Sequence, residues 1–273
     1  MRGAPQRAVS GVGFAGGLIG VARTSPKMLR SGPMALRPLS LSLDLIARAH
    51  PDPVSDDPNA LTLLADDDLA PELDAMLARR ASADGGLWVF AYGSLLWSPE
   101  FAFTEQRLGT LRGWHRRFCL LQRRYRGTPE NPGLVLGLDR GGICRGVAFR
   151  LDDADPHATL MPVWRREMKG KGYEGRWVRV ETAAGPVTAL TFMVNRRSDR
   201  YAGRLSDEEL ARRIATACGH LGPSAEYLFR TVEACARLGI HDRHLWSLQA
   251  LVAERLREGC ASPLLRHREA EPK

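Results

Sequence analysis

Two stretches of the chain carry residue types that can bind and act on a small polar substrate. The first is Leu87-Trp88-Val89-Phe90-Ala91-Tyr92-Gly93-Ser94-Leu95-Leu96-Trp97, an apolar run interrupted by Tyr-Gly-Ser. A glycine at such a turn lets a ligand approach the backbone. Consecutive loop N–H groups there can converge on a carboxylate. The second is Trp164-Arg165-Arg166-Glu167-Met168-Lys169-Gly170-Lys171-Gly172-Tyr173, which sets one carboxylate among apolar and basic neighbours. Trp164, Met168 and Tyr173 can desolvate Glu167 and raise its pKa, as a general base working near neutral pH requires. The same residues also fit an exposed helix-terminal glutamate paired with Arg165, Arg166 or Lys171, and residue types alone favour that simpler arrangement. Glu174, in Tyr173-Glu174-Gly175, reads as a more exposed turn position.

Other common chemistries find little support. Gly170-Lys171-Gly172 lacks the remainder of a phosphate-binding P-loop, and no H-E-x-x-H occurs. His241 and His244 lie three apart with no cysteine or carboxylate cluster to complete a metal site, so a surface or capping role suits them better. Ser94 is not in G-x-S-x-G and has no evident histidine partner. Cys119, Cys144, Cys218, Cys235 and Cys260 are odd in number, widely spaced and without C-x-x-C. That pattern argues for reduced thiols in a cytoplasmic compartment rather than for disulfides or zinc. Gly11-Val12-Gly13-Phe14-Ala15-Gly16 matches G-x-G-x-x-G in letters only. No strand precedes it, and the first acid after it is Asp44.

The elements that must position the two stretches follow from periodicity and turn chemistry. Strands are expected at 87–91, 114–122, 133–138, 143–151, 176–182 and 187–194. Turns are expected at Pro129–Gly133, Asp139-Arg140-Gly141-Gly142 and Ala184-Gly185-Pro186. Helices are expected at 66–80, at 156–168 behind Asp155 and Pro156, from Ser206 through Ala217, at 224–238 and at 242–258. The first 60 residues are rich in Gly, Ser, Pro, Ala and Arg and show no sustained periodicity. They read as a disordered extension, or as translation assigned from too early a start, with Met28 and Met34 as later candidates. Gly11–Ala22 resembles a secretory apolar region only weakly and lacks an A-x-A cleavage site. The expected organisation is an N-terminal extension (1–60), a helical lead-in (61–85), a β-rich then helical domain (86–258) and a polar tail (259–273).

Composition excludes further classes. No run of about 18 apolar residues occurs, so no membrane partner is expected. The formal charge is +8, but residues 1–43 hold six basic residues and no acid, which leaves +2 for the rest. A nucleic-acid surface on the folded part is therefore poorly supported.

Several ordered motifs together resemble the ChaC-type γ-glutamylcyclotransferases. They are Val89–Trp97 with its Tyr-Gly-Ser-Leu, Arg126–Leu138, Gly141–Arg150, Arg166-Glu167-Met168 with Gly172-Tyr173, Asp199–Gly203 and Glu226-Tyr227-Leu228-Phe229. The resemblance covers about residues 86–258. It implies an α+β fold, a mixed β-barrel with flanking helices and a helical C-terminal part. It implies cleavage of glutathione to 5-oxoproline and cysteinylglycine without cofactor or metal. Other γ-glutamyl peptides or amines as substrates, or a non-catalytic γ-glutamyl-binding module, are the alternatives. By motif position, Glu167 matches the catalytic glutamate, and Tyr92, Gly93, Ser94, Leu95, Leu96 and Trp97 match the segment that holds the γ-glutamyl group. Arg126 is a candidate for the glycine-end carboxylate or for fixing its own loop. Tyr173 is a candidate for orienting Glu167 or for packing.

Overall fold

A computed structural model describes residues 39–51, 66–80 and 85–261. At its centre β1 (Leu87–Ala91), β2 (Glu105–Gln122), β3 (Gly133–Leu151), β4 (Tyr173–Thr182) and β5 (Val187–Val194) form a closed barrel in the order β1-β3-β2-β4-β5. Pairing is antiparallel except at β5, which meets β1 at Val89–Leu190 and β3 at Leu138–Met193 in parallel and so closes the barrel. Around it lie α1 (Leu43–Ala49), α2 (Asp66–Leu77), α3 (Pro156–Met168), α4 (Asp207–Thr216), α5 (Ser224–Arg237) and α6 (Arg243–Ala261). The two-residue strands β6 (Cys218–Gly219) and β7 (Gly222–Pro223) join α4 to α5. No helix among the described residues is long and apolar enough to cross a membrane.

β1 reads as an unbroken apolar run because both of its faces are covered. Trp88, Phe90 and Tyr92 enter one core together with α4, α5 and α6. Leu87, Val89 and Ala91 enter a second core beneath α2 and α3. The strand's two-residue period carries Tyr92, just past the strand end, to the side of Phe90. A fully buried side chain of the size of Phe90 contributes roughly 1.5–3 kcal/mol.

α3 opens as expected, with Asp155 accepting a hydrogen bond from the Ala158 amide and Pro156 in the first turn. Leu160, Val163 and Trp164 form its buried face. Glu167 follows Val163 by four and Trp164 by three, so it continues that face at the helix end.

Several expectations need correction, among them the start of β4, which at Tyr173 precedes the expected 176 and makes Glu174 a strand residue rather than a turn residue. The turn at Asp139–Gly142 is absent, and β3 runs through it as one strand. Gly141 and Gly142 take φ of 98° and 73°, and the register with β2 slips between Arg112 and Trp114. Glycine admits this left-handed backbone, and the pair of strands bends together instead of reversing. β2 begins at Glu105, not at 114. Its first half mixes polar residues with leucine and glycine and gains its pairing from β3 and, at Gly109 and Thr110, from β4. Finally, α1 forms where no element was expected. Ser42 caps it by accepting a hydrogen bond from the Leu45 amide, and Leu41, Leu45 and Ile46 are buried. The Leu41 amide donates to Gln249 Oε1 of α6 at 2.9 Å. α6 itself continues to Ala261, into the expected tail. The expectations for residues 1–38 lie outside the described residues.

Candidate active site

The two stretches singled out in the sequence meet at one small cavity. Its walls are Tyr92, Gly93, Ser94, Leu95, Leu136, Glu167, Tyr173, Phe192 and Tyr227. Its free volume is about 20 Å³, roughly the room of one water molecule. β1 delivers Tyr92 and Gly93, and a single 3₁₀ turn, Ser94–Leu96, follows. The amides that open such a turn have no acceptor within it, and Gly93 supplies no side-chain cap. A Cβ at Gly93 would stand 3.1 Å from the Tyr227 hydroxyl, so the glycine is what lets α5 approach the turn.

Glu167 comes from the end of α3, with its side chain 11% exposed. Burial raises its carboxyl above the ordinary range, against the pull of the Arg166 and Arg200 guanidiniums; Glu100 adds to the rise. Arg166 Nε lies 3.3 Å from Glu167 Oε1. The rest of that guanidinium donates to Ser94 Oγ, the Ser98 carbonyl and Glu100 Oε1, each at 2.8 Å. One arginine thus joins the segment after β1 to the glutamate. Arg200 donates to the Leu121 carbonyl at 3.1 Å and to the Gly170 carbonyl at 3.2 Å, pinning the α3–β4 turn to the end of β2.

Three tyrosines complete the walls. Tyr92 donates to the Phe192 carbonyl at 2.7 Å, and Tyr173 donates to the Leu136 carbonyl at 2.6 Å. The Tyr227 hydroxyl lies against Gly93, 3.1 Å from where a Cβ would stand, and lines the cavity with Ser94 and Leu136. Burial pushes the Tyr227 phenol up to about 12, helped by the nearby Glu167 charge. Burial also raises Tyr92 and Tyr173 well above the usual phenol range, with neighbouring tyrosine and Glu167 charges adding to it. All three are therefore neutral hydroxyls at physiological pH.

Of the residues selected from sequence, Tyr92, Gly93, Ser94, Leu95, Glu167 and Tyr173 line the cavity. Leu96 and Trp97 do not. Leu96 packs against both cores. Trp97 donates to Thr231 Oγ1 at 3.2 Å and meets the Tyr227 ring edge-on at 6.0 Å, backing α5 rather than facing the cavity. Arg126 also stands apart. It donates to Glu226 Oε2 at 3.0 Å and to the Pro223 carbonyl at 3.4 Å, which ties its loop to the start of α5. Sequence reasoning missed Tyr227, Leu136, Phe192 and the clamp by Arg166. The available signal was Glu226-Tyr227-Leu228-Phe229, quoted for its resemblance but not given a role.

The arrangement gathers a shielded proton acceptor, the amides of a turn and neutral hydroxyls around one cavity. Its one aliphatic hydroxyl, Ser94 Oγ, accepts from Arg166 at 2.8 Å and has no histidine beside it in the cavity wall.

The ChaC-like protein family model matches residues 87–255. The glutathione-specific gamma-glutamylcyclotransferase of Escherichia coli (strain K12) is 38% identical over 199 residues, covering 71% of this chain and 86% of that protein. The human glutathione-specific gamma-glutamylcyclotransferase 1 is 31% identical over 183 residues, covering 64% of this chain and 82% of that protein. Among solved structures, a yeast γ-glutamyl cyclotransferase specific to glutathione superposes with a TM-score of 0.58 at 22% identity, covering 62% of this chain and 96% of the other, a likeness of fold. On the family match across the barrel and the helices behind it, this chain belongs to the ChaC-like protein family.

Proposed function

We propose that this protein is a γ-glutamylcyclotransferase that cleaves glutathione to 5-oxoproline and cysteinylglycine, with Glu167 as its general base. The observation that carries the reading is the buried, proton-attracting Glu167 carboxylate in the same cavity as the Gly93–Leu95 turn. The names of the bacterial and vertebrate relatives support the substrate.

The reaction brings its own nucleophile. The α-amine of the γ-glutamyl group attacks its γ-carbonyl carbon and closes a five-membered ring. Holding that folded conformer can supply an effective molarity of about 10⁵ M or more. Glu167 takes the proton from the amine. A model α-amine titrates near 8 and a free glutamate near 4.3, roughly four units apart, and burial of Glu167 narrows that gap. As the C–N bond to cysteinylglycine breaks, the same carboxyl returns the proton to the leaving nitrogen. The amides of the Gly93–Leu95 turn serve the oxyanion or the α-carboxylate. The Tyr173 hydroxyl holds its wall against the Leu136 carbonyl. The cavity must widen as substrate enters, because its free volume matches only a water.

The cavity walls are assigned to the γ-glutamyl group, and none of their residues is assigned to cysteinylglycine. A panel of γ-glutamyl peptides and amines therefore belongs beside glutathione in the assay. The five free cysteines suit a reducing, cytoplasm-like compartment.

The test is product analysis. Purified protein incubated with glutathione should release 5-oxoproline, seen by mass spectrometry, and Glu167→Gln should lose at least about 10²-fold in rate. Free glutamate as the product, or equal rates in the two proteins, would overturn the assignment.

A further inference from the structure

A second concavity, sharing no wall residue with the catalytic cavity, opens between the bend of β2 and β3 and the N-terminal ends of α4 and α6. Its volume is about 1,040 Å³, at the upper end of what small-molecule sites offer. Four arginines line it from three places in the fold. Arg140 and Arg145 flank the Gly141–Gly142 bend, Arg204 precedes α4, and Arg243 opens α6. Among the described residues none of the four has a carboxylate partner.

The acids in the cleft are already matched. Asp207 Oδ1 lies 3.0 Å from His244 Nε2, and Asp242 Oδ2 lies 3.2 Å from Arg116 Nε. Arg117, also in the wall, is paired with the buried Asp139 at 3.2 Å. The helix ends add to the positive field. Ser206 and Asp242 side chains cap α4 and α6 by accepting from Glu209 and Leu245 amides. The preceding amides remain without intrahelical acceptors.

One buried cation stands in the same wall. The Arg116 side chain is 1% exposed and forms part of the cleft wall. Its Nη atoms donate to the Tyr92 and Arg145 carbonyls and to Cys235 Sγ, but Nε has no hydrogen-bond partner beyond the ionic contact with Asp242. An apolar patch completes the cleft: Ile143 is 53% exposed there, beside Leu205.

We propose that this cleft binds a small polyanion carrying a chain of phosphates, either a nucleoside triphosphate or free polyphosphate, gripped by Arg140, Arg145, Arg204 and Arg243. Guanidiniums arriving from three elements of the fold suit a ligand with several anionic groups in a row, and the arginine fork matches phosphate geometry. The concave placement fits a compact ligand rather than an extended nucleic-acid face.

The experiment is calorimetric titration of the full-length chain in about 0.15 M salt, where weak surface attraction is largely screened. The probes are ATP, inorganic triphosphate and adenosine. ATP or triphosphate should bind one site with a Kd below about 100 μM, and adenosine should not bind. Arg204→Ala/Arg243→Ala should weaken binding at least about tenfold. Arg140→Ala/Arg145→Ala serves as the second pair, should the first fail to fold. Tighter binding of ATP than of triphosphate assigns the site to a nucleotide whose base covers Ile143; equal affinity assigns it to free polyphosphate. No binding at millimolar ligand, unchanged affinity in both double variants, or a duplex oligonucleotide binding more tightly than triphosphate would overturn the proposal. None of these readouts depends on glutathione turnover.

Discussion

The role of general base proposed for Glu167 comes at the expense of stability. Its folded pKa lies above the ordinary 4.5 because burial opposes the charge. As pH rises past 4.5 the unfolded chain releases this proton first. Stability therefore falls through the window between 4.5 and the raised value, and the penalty persists at neutral pH. Glu167→Gln is predicted to unfold at a higher temperature than the parent at pH 7, by about 2–4 °C for each kcal/mol relieved. That gain should shrink at pH 4, where the parent carboxyl is protonated in both states. Thermal unfolding at the two pH values checks it, and an equal gain at both would contradict the buried-base assignment. Residue types alone favoured an exposed Glu167; what buries it is its phase with Leu160, Val163 and Trp164 on α3 and the closure of β4 and β5 behind it. Tyr227 was not assignable from the sequence for the same reason: α5 reaches Gly93 only in three dimensions.

At the scale of elements, the site depends on holding the segment after β1 against the end of α3, and Arg166 does so with one guanidinium. Its four contacts run to Ser94, Ser98, Glu100 and Glu167. Arg166→Lys keeps a positive charge but not the planar fork. It should raise KM for glutathione about tenfold or more while leaving the acidic limb of the kcat/KM profile in place. Arg166→Ala removes the charge as well, and because that charge holds the Glu167 pKa down, the acidic limb should move to higher pH. Identical pH profiles in the alanine and lysine variants would show that the arginine acts on position alone. The strands and helices that carry these residues were largely legible: β1, β5 and α3 match the expected ranges because each is a dense apolar pattern with its own start signal. The misread elements share a different trait. The first half of β2, the bend at Gly141–Gly142 and α1 take their shape from a partner strand or from α6, and local residue patterns do not record a partner.

Across the whole molecule, buried ions link surfaces that the sequence keeps far apart. Arg116 joins the Tyr92 carbonyl at the candidate active site to Asp242 at the start of α6. Asp139 gathers another set: fully buried on β3, it accepts from Arg117 of β2 at 3.2 Å, Arg196 Nε at 2.7 Å, the Tyr201 hydroxyl at 3.0 Å and the Arg140 amide at 2.9 Å. It thereby fastens the chain between β5 and α4 to the barrel, beside the antiparallel bridge of Leu120 with Tyr201. Burial alone would raise the Asp139 carboxyl. The hydrogen bond from Arg196, with those from the Arg140 amide and Tyr201, outweighs burial and holds it below the usual 3.8. A depressed carboxylate stabilises the fold above its unfolded pKa, and that contribution is lost as pH falls through the folded value. Asp139→Asn keeps the shape but removes the charge facing Arg117 and Arg196. At pH 7 it should cost about 1–3 kcal/mol, less than a fully buried pair because the Arg196 side chain is 48% exposed. The deficit in unfolding temperature should narrow as pH drops below 3.8, because Asp139 of the unfolded parent protonates first, and it should vanish once pH has fallen through the lower folded value and the two chains hold the same charge there. A deficit that stays constant from pH 7 to pH 3 would mean that shape, not charge, holds this junction together.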